Sequence, residues 1–183
     1  IDKEIRQRLG EVLIGADESQ IQNICYDLRT AHFFSKSARS MDRCELMPGE
    51  SIFVESVEKI KLPDDMLARV SLRNSRIRQG LALEAPVYQP GHETKIYFRV
   101  SNISKSKITL QSGDGIASLF FEQLSGSVQK PYCGTFQEED KFKGMGNYES
   151  AYRNAMEDLE EKADELRHIE KSMYGNVINL MVI

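Results

Sequence analysis

The chain has 183 residues, of which 40% are hydrophobic and 28% are charged, and its formal net charge at pH 7 is -4. This composition excludes a disordered or membrane-embedded chain, and the length suits one globular body with a short appendage. The negative net charge argues against broad electrostatic binding to a nucleic-acid backbone, so we expect no nucleic-acid partner.

Cysteine spacing and the first residues bear on the cellular compartment. Cys25, Cys44 and Cys133 are an odd number at wide spacings, which gives neither a disulfide framework nor a zinc signature. The first ten residues, IDKEIRQRLG, have no cationic start followed by an apolar core, so they do not resemble a secretory signal. We therefore expect a reducing compartment and a cytoplasmic protein.

Residues 2–14 predict a short amphipathic helix. Ile5, Leu9, Val12 and Leu13 recur at helical spacing among charged residues. This spacing favours a helix that packs one face on the body of the protein.

From residue 21 to residue 124 the pattern is that of short β-strands. Seven segments of alternating or dense apolar residues are separated by turn sequences such as MPGE, LPDD, QPGH and SGDG. Strands of this length without intervening helices indicate an all-β sandwich or barrel of the jelly-roll kind. The segments are IQNICYDLR, SIFVESVEKI, LARVSL, LALEAPV, KIYFRVSN, KITLQ and IASLFFEQL.

One of these predicted strands carries an arginine in its middle. In KIYFRVSN, residues 95–102, apolar residues alternate with Tyr97, Arg99 and Ser101. This alternation predicts a half-buried strand with Arg99 on its polar face.

The end of the chain predicts a helical extension. From Tyr148 onward the pattern is helical, and Tyr152, Leu159, Leu166 and Met173 recur every seven residues. These residues predict either a coiled coil of about three heptads or a helix packed on its own domain. We therefore divide the chain into a β domain, residues 1–145, and a C-terminal helical extension, residues 146–183.

The last residues, NVINLMVI, are apolar. They are too few to span a bilayer, which takes about 20 residues. A membrane contact is expected only if the natural chain continues beyond Ile183.

The sequence lacks the common motifs for histidine metal sites, catalytic triads and glycine-rich phosphate loops. The three histidines are scattered, and neither GxxxxGK[ST] nor GxGxxG after a strand occurs. The exception is LRNSRIRQGL, residues 72–81, in which arginines and small polar side chains precede a glycine at a predicted strand end. Guanidinium groups and short donors that converge in this way can hold phosphate oxygens, and a solvated charged surface is the alternative.

Several segments, taken in order, resemble the dCTP deaminase branch of the dUTPase superfamily. The resemblance implies a distorted jelly-roll or β-barrel of the dUTPase-like type. Together with the N-terminal helix and the long C-terminal helical extension predicted from the residue pattern, this gives a mainly β protein. The resemblance also implies a homotrimer with nucleotide sites at the subunit interfaces. The segments are QIQNICYDLR (20–29), LMPGESIFVESVEKIKLPDDMLARV (46–70), RNSRIRQGL (73–81), QPG (89–91), IYFRVSN (96–102) and GDGIASLFFEQLSGSVQKPY (113–132).

The resemblance implies a particular chemistry. Members of this family deaminate dCTP to dUTP, and some also hydrolyse dUTP to dUMP. The deamination uses no zinc: a glutamate is the general base for a water molecule, a serine and an arginine orient the reactants, and magnesium accompanies the triphosphate. We therefore expect no metal ligands from protein side chains, and Mg²⁺ only together with a bound nucleotide.

The family's phosphate-binding segment is only partly present. It reads Arg-Ser-Ser-x-x-Arg-x-Gly in the family, and here Arg73, Ser75, Arg78 and Gly80 match it. Asn74 stands where the first serine is expected; it can still form hydrogen bonds, but with a different reach.

Two further departures affect the catalytic positions. Gln89 stands at the position of the family's aspartate, and Arg99 stands at the position of its general-base glutamate. An amide cannot accept a proton as a base, and a guanidinium is always protonated at physiological pH. Glu84 or Glu93 would supply a carboxylate if the register is shifted, and Arg99 would otherwise be a surface arginine paired with a neighbour.

The sequence thus predicts a dCTP deaminase-like domain that binds a deoxynucleotide of the dCTP, dUTP or dTTP class without ordinary turnover, as a sensor or a trimeric assembly module. One alternative is an active dCTP deaminase, with or without dUTP diphosphatase activity, with relocated catalytic groups. Another is a structural trimer without a ligand. The predicted binding residues are Arg73, Asn74, Ser75, Arg78, Gln89 and Arg99.

Overall fold

The computed structural model describes residues 2–35, 39–144, 162–170 and 173. Its strands, all paired antiparallel, form one large sheet in the order β7-β9-β5-β2-β11-β6-β8, with β1 on β5 and β3 on β2, and a separate pair of β10 with β4. The prediction of a mainly β fold is confirmed. The strands are β1 (Leu13–Ile14), β2 (Tyr26–Phe34), β3 (Ser40–Met41), β4 (Arg43–Leu46), β5 (Ser51–Lys61), β6 (Met66–Leu72), β7 (Leu81–Glu84), β8 (Val87–Tyr88), β9 (Glu93–Asn102), β10 (Ile108–Gln111) and β11 (Gly115–Gln123). Within residues 2–144, the α-helices are α1 (Asp2–Val12) and α2 (Asn74–Gln79).

The core lies on one face of the central strands. On β9 the side chains of Ile96, Phe98 and Val100 are at most 2% exposed, whereas Arg99 on the opposite face is only half-buried. This is the predicted alternation. Each fully buried apolar side chain of this size contributes about 1.5–3 kcal/mol to folding, so the pattern fixes which face of β9 is turned outward.

The predicted N-terminal helix is present but two residues shorter than expected, since Leu13 and Ile14 form β1. Helix α1 covers Asp2–Val12, and Leu9 and Val12 are buried against the hydrophobic core. Glu18–Gln20 form a 3-10 turn, and Asp17 caps it by accepting a hydrogen bond from the backbone N–H of Ser19 at 2.9 Å.

A buried ionic network anchors the YDLR segment of β2. Glu58 is fully buried, and its Oε1 accepts hydrogen bonds from Tyr26 at 3.0 Å and from Nε of Arg29 at 2.7 Å. The backbone N–H of Arg29 donates to Oε2 of the same carboxylate at 3.2 Å. Burial raises the pKa of Tyr26 to about 12. Because the buried charge is paired and hydrogen-bonded, this network joins β2 firmly to β5.

The predicted turns MPGE, QPGH and SGDG each contain a glycine at positive φ. In QPGH the backbone N–H of His92 donates to the carbonyl of Gln89 at 3.0 Å, with Gly91 at φ 80°. In GDGIA, Gly113 has φ 86° and β11 begins at Gly115. Such conformations suit glycine because it has no Cβ.

Two local predictions need correction. The 72–81 segment was expected to run as a strand end into its glycine, but β6 stops at Leu72 and helix α2 intervenes; α2 ends at Gln79, and Gly80 caps it with φ 95°. Strand β4, Arg43–Leu46, was not predicted; it pairs with β10, which is distant in the sequence.

The helical extension is only partly described. Residues 162–170 are helical, and Leu166 and Met173 are exposed. Tyr152, Leu159 and the boundary between residues 145 and 146 lie outside the described residues, so the coiled coil and the division into domains stay predictions. Over the residues that were described, no helix is long and apolar enough to cross a membrane.

Candidate nucleotide-binding site

The six predicted binding residues lie in three places within the chain. Arg73, Asn74, Ser75 and Arg78 precede or form α2, Gln89 lies in the turn before β9, and Arg99 is in the middle of β9. Each location has its own contacts.

Arg73 is oriented by a buried acid. Its Nη2 lies 3.4 Å from Oδ2 of Asp27, which is buried on β2 and accepts a hydrogen bond from Ser118 at 2.6 Å. A Cβ on Gly115 would overlap Nη1 of Arg73, the far end of a flexible side chain, so a larger residue there would displace the guanidinium from this position. With 42% of its side chain exposed, Arg73 is positioned and still accessible to an anion.

The rest of the predicted phosphate-binding segment is on the protein surface. Asn74, Ser75 and Arg78 are exposed, and Nε of Arg78 donates to Oδ1 of Asn74 at 3.4 Å. Helix α2 has no buried residue. Its polar side chains are therefore available for a ligand.

Arg76, which was not among the predicted binding residues, holds α2 in place. Its Nη2 lies 3.3 Å from Oδ1 of Asp114, and its Nε donates to the carbonyl of Gly115 at 3.2 Å. These contacts join α2 to the start of β11. In the sequence, Arg76 stands between Arg73 and Arg78. This position does not distinguish a structural role from a binding role.

Arg99 is paired across the sheet. It lies directly opposite Glu84 on β7 and Phe53 on β5, and its Nη2 forms an ion pair with Oε2 of Glu84. The side chain of Arg99 is 27% exposed and that of Glu84 is 64% exposed. This contact matches the alternative reading of Arg99 as a strand arginine paired with a neighbour; its role in phosphate binding stays a prediction.

The other alternative carboxylate, Glu93, is neutralised by lysines. It lies 2.9 Å from Nζ of Lys59 and 3.5 Å from Nζ of Lys61. The hydrogen bond from Lys59 lowers the pKa of Glu93. Glu93 is therefore ionised, and its negative charge is balanced by the two lysines. Of the two alternative carboxylates, Glu84 is the one that pairs with Arg99.

A cleft of about 520 Å³ opens between β8, β9 and a covering segment, which we define as residues 132–144. Most of its walls are aromatic or aliphatic, as is usual for small-molecule sites. Of the six predicted binding residues, all of them described, only Gln89 lines it. The lining residues are Phe53, Pro86, Val87, Tyr88, Gln89, His92, Thr94, Lys95, Tyr97, Tyr132, Phe136, Glu139, Phe142 and Gly144.

Aromatic contacts hold the covering segment on the outer face of the sheet. Phe142 stacks on Phe34 with ring centroids 4.7 Å apart, and its ring centroid lies 5.0 Å from that of Phe53 and 5.3 Å from that of Tyr97. Nζ of Lys59 adds an ion pair of 2.9 Å to Asp140. These residues could not be assigned to the cleft from the sequence, because the covering segment has the composition of a polar loop.

Two buried polar groups beside the cleft have no hydrogen-bond partner among the described residues: Nδ1 of His92 and the hydroxyl of Tyr97. Nε2 of His92 lies 3.0 Å from the carbonyl of Phe136, so Nε2 carries the proton and Nδ1 is an acceptor. Burial lowers the pKa of His92 and raises that of Tyr97. Both groups are therefore neutral at pH 7.

Residues 32–124 match the model of the family described as dCTP deaminase-like. The chain belongs to this family. The match contains α2, Gln89 and Arg99 but ends before the covering segment. Within the described ranges, no group of three or more His, Cys, Asp or Glu side chains is arranged to hold a metal ion.

Curated relatives agree with the family match. The chain is 35% identical over 100 residues to the dUMP-forming dCTP deaminase of Methanosphaera stadtmanae, covering 54% of this chain and 50% of that protein. The chain thus spans about half the length of this relative. It is 27% identical over 133 residues to the dCTP deaminase of Pyrococcus furiosus, covering 69% of this chain and 85% of the relative.

A solved structure supports the fold. The dCTP deaminase of Agrobacterium tumefaciens aligns with a TM-score of 0.56 and 19% sequence identity, over 66% of this chain and 45% of that chain. At this identity the likeness concerns the fold alone. The jelly-roll-like fold of the dUTPase type, predicted from the sequence, is therefore confirmed.

Proposed function

We propose that this protein binds a deoxyribonucleoside triphosphate of the dCTP, dUTP or dTTP class without ordinary deaminase or dUTPase turnover. The observation that carries this proposal is the ion pair between Arg99 and Glu84. At the position where the resemblance implies a general base, the chain has a guanidinium that stays protonated and is paired with an acid. General acid–base catalysis contributes about 10²- to 10⁴-fold, so its loss would leave little turnover.

The chemistry of α2 supports phosphate binding. Arg73 and Arg78 offer guanidinium groups, and the exposed side chains of Asn74 and Ser75 offer further donors. Such a set recognises phosphate oxygens through charge-assisted hydrogen bonds. Magnesium would enter with the triphosphate rather than through a site made by protein side chains.

We further propose a homotrimer in which nucleotide sites form between subunits, as the family resemblance implies. The relevant observation is that α2 and the cleft are built from different elements of one protomer. A neighbouring copy would bring the arginines of α2 to the cleft. A protein that binds nucleotide in this way without consuming it would act as a sensor or as an assembly module.

A second candidate function is an active dCTP deaminase with a relocated carboxylate. The specific observation in its favour is the register of β7 and β9, in which Glu84 lies directly opposite Arg99 and remains 64% exposed. Glu84 would then replace the missing strand glutamate as the proton acceptor. The names of the curated relatives agree with this activity.

Calorimetry with dCTP, dUTP and dTTP in the presence of magnesium, combined with an ammonia-release assay, tests both functions. Binding without ammonia release is the outcome that we expect. Ammonia release that disappears in the Glu84→Gln variant would favour the second candidate. If the protein neither binds these nucleotides nor releases ammonia, the alternative of a structural trimer without a ligand is favoured.

A further inference from the structure

The polar side chains of the cleft include a single acid. Among the described residues that line the cleft, Glu139 is the only one with a carboxyl group, and it is 6% exposed. Burial raises the pKa of Glu139, and a hydrogen bond from the backbone N–H of Lys143 acts in the opposite direction. A mostly buried carboxyl group in an apolar cleft needs a local reason to be there.

No described cation neutralises this carboxyl group through a direct ion pair. Nζ of Lys95, which lines the same cleft, donates to the carbonyl of Val57 at 2.9 Å and lies 3.7 Å from Glu55. Nζ of Lys143 donates to the carbonyl of Thr135 at 2.6 Å. Both ammonium groups thus donate their hydrogen bonds elsewhere, although the charge of Lys143 also acts to lower the pKa of Glu139.

The carboxyl group itself has spare hydrogen-bonding capacity. Oε1 of Glu139 accepts a hydrogen bond from the backbone N–H of Lys143 at 2.8 Å, and within the described residues Oε2 accepts none. A carboxylate has about four acceptor positions on its two oxygens. Most of this capacity remains for a ligand.

The backbone holds Glu139 firmly at the edge of β9. Thr94 and Glu139 form a parallel β-bridge, and the backbone N–H of Lys95 donates to the carbonyl of Glu139 at 3.1 Å. The preceding residue, Glu138, is the one non-glycine residue with positive φ in the described part of the chain, at 54°. A sparsely populated conformation of this kind is retained where the surrounding structure fixes a neighbouring group.

The aromatic walls define what shape of ligand would reach this carboxylate. His92 and Tyr132 have ring centroids 4.0 Å apart, and the rings of Phe53 and Phe142 form another part of the wall. Aromatic surfaces favour a flat ring, and an acceptor at the wall favours a ring with an N–H group on its edge.

We propose that Glu139 is a specificity-determining residue of the cleft, whose carboxylate accepts a hydrogen bond from an N–H group at the edge of a planar, single-ring heterocycle. The proposal rests on the proposed function, because the ring is the base of the bound deoxynucleotide. The arginines of α2 would bind its phosphates. Glu139 therefore distinguishes the base, and not the triphosphate.

The test compares Glu139→Gln with Glu138→Gln, which also removes one negative charge but at an exposed neighbouring position. Calorimetry measures the affinities of the wild type and both variants for dCTP, dUTP and inorganic tripolyphosphate. We expect Glu139→Gln to weaken binding of at least one of the two nucleotides about tenfold or more, because a charge-assisted hydrogen bond is lost. Its affinity for tripolyphosphate should be unchanged, and Glu138→Gln should bind all three like the wild type.

Each outcome has a distinct meaning. Nucleotide affinities unchanged in Glu139→Gln would overturn the inference while leaving the proposed function intact. An equal loss for nucleotides and tripolyphosphate would also overturn it, because the effect would then concern the phosphates or the fold. Failure of the wild type to bind dCTP, dUTP and dTTP would overturn the proposed function itself. Thermal unfolding of both variants checks that they are folded.

Discussion

At the scale of single residues, the pair of Arg99 on β9 and Glu84 on β7 has the largest consequence for the proposed function. Arg99 stands where the resemblance implies a glutamate, and Glu84 stands directly across from it on β7. Residue 99 could be assigned to the polar face of its strand from the sequence alternation alone. Its partner could not be assigned, because a one-residue change in the register of β7 would turn Glu84 to the other face.

Arg99→Glu is expected to weaken the binding of tripolyphosphate about tenfold or more, because it removes a cation and sets two carboxylates on facing strands. Calorimetry with tripolyphosphate measures the effect. The matched control is Arg69→Glu, which reverses the charge of another strand arginine that is paired with an acid, Glu122. Equal affinities of the two variants would place Arg99 outside the phosphate site.

Glu139 should make stability depend on pH in a particular direction. Its folded-state pKa is raised, first of all by burial, so the folded state is penalised when the pH is above both the folded and the unfolded values and is not penalised below both. Glu139→Gln should therefore be more stable than the wild type at pH 7. The difference should shrink as the pH falls through the raised pKa toward the unfolded value, about 4.3.

Denaturant unfolding of the wild type and Glu139→Gln between pH 4 and pH 8 measures this dependence. Glu138→Gln again serves as the control, since Glu138 is exposed. A Glu139→Gln variant that is less stable than the wild type at pH 7 would show that the carboxylate is stabilised by its surroundings, contrary to the expected penalty.

At the scale of elements, the strands were predictable and the small pieces that position the site were not. Alternation over eight or more residues reveals β5 and β9, whereas the six residues of α2 are too few for helical periodicity. The contact of Arg76 with Asp114 depends on where α2 sits against β11. Tertiary contacts of this kind leave no local trace in the sequence.

The turn before β9 packs against the start of the covering segment: the backbone N–H of Tyr132 donates to the carbonyl of Pro90 at 2.9 Å. A Cβ on Gly91 would stand 2.5 Å from Cβ of Pro131, and Gly91 also has φ 80°. Gly113, with φ 86°, has a similar conformation but no heavy atom within 4 Å of an added Cβ. A comparison of substitutions at the two glycines therefore distinguishes the cost of backbone strain from the cost of close packing.

Gly113→Ala is expected to destabilise the protein by about 1 kcal/mol through the positive φ alone. Gly91→Ala should cost about 1–3 kcal/mol more, because Pro131 must also shift and overpacking adds to the strain. Denaturant unfolding measures both values. If the two variants lost equal stability, the contact between the turn and Pro131 would be unimportant.

At the scale of the whole molecule, the fold and the family could be read from the sequence, because several motifs occur in order along the chain, among them RNSRIRQGL and IYFRVSN within the residues that match the family. The position of the covering segment over the sheet could not, since it depends on Phe142 meeting Phe34, a residue more than a hundred positions away. Assembly is a further level, at which residues from different subunits would complete one site.

The proposed trimer predicts that two defective variants complement each other. Arg73→Ala removes a phosphate contact on α2, and Glu139→Gln removes a base contact in the cleft, so each homotrimer should bind dCTP weakly. If α2 of one subunit serves the cleft of the next, co-expressed hybrids contain sites with both residues intact. Random reassortment would make about a quarter of the sites wild-type, because each site draws its two halves independently from a heterologous interface.

Calorimetric titration of the co-expressed mixture with dCTP measures the fraction of high-affinity sites. The control is a homotrimer that carries both substitutions in one chain, which should have none. If α2 and the cleft of the same chain formed the site, every site in the mixture would carry one defect. No high-affinity fraction would then appear, and the interface arrangement would be excluded while nucleotide binding by the wild type remained.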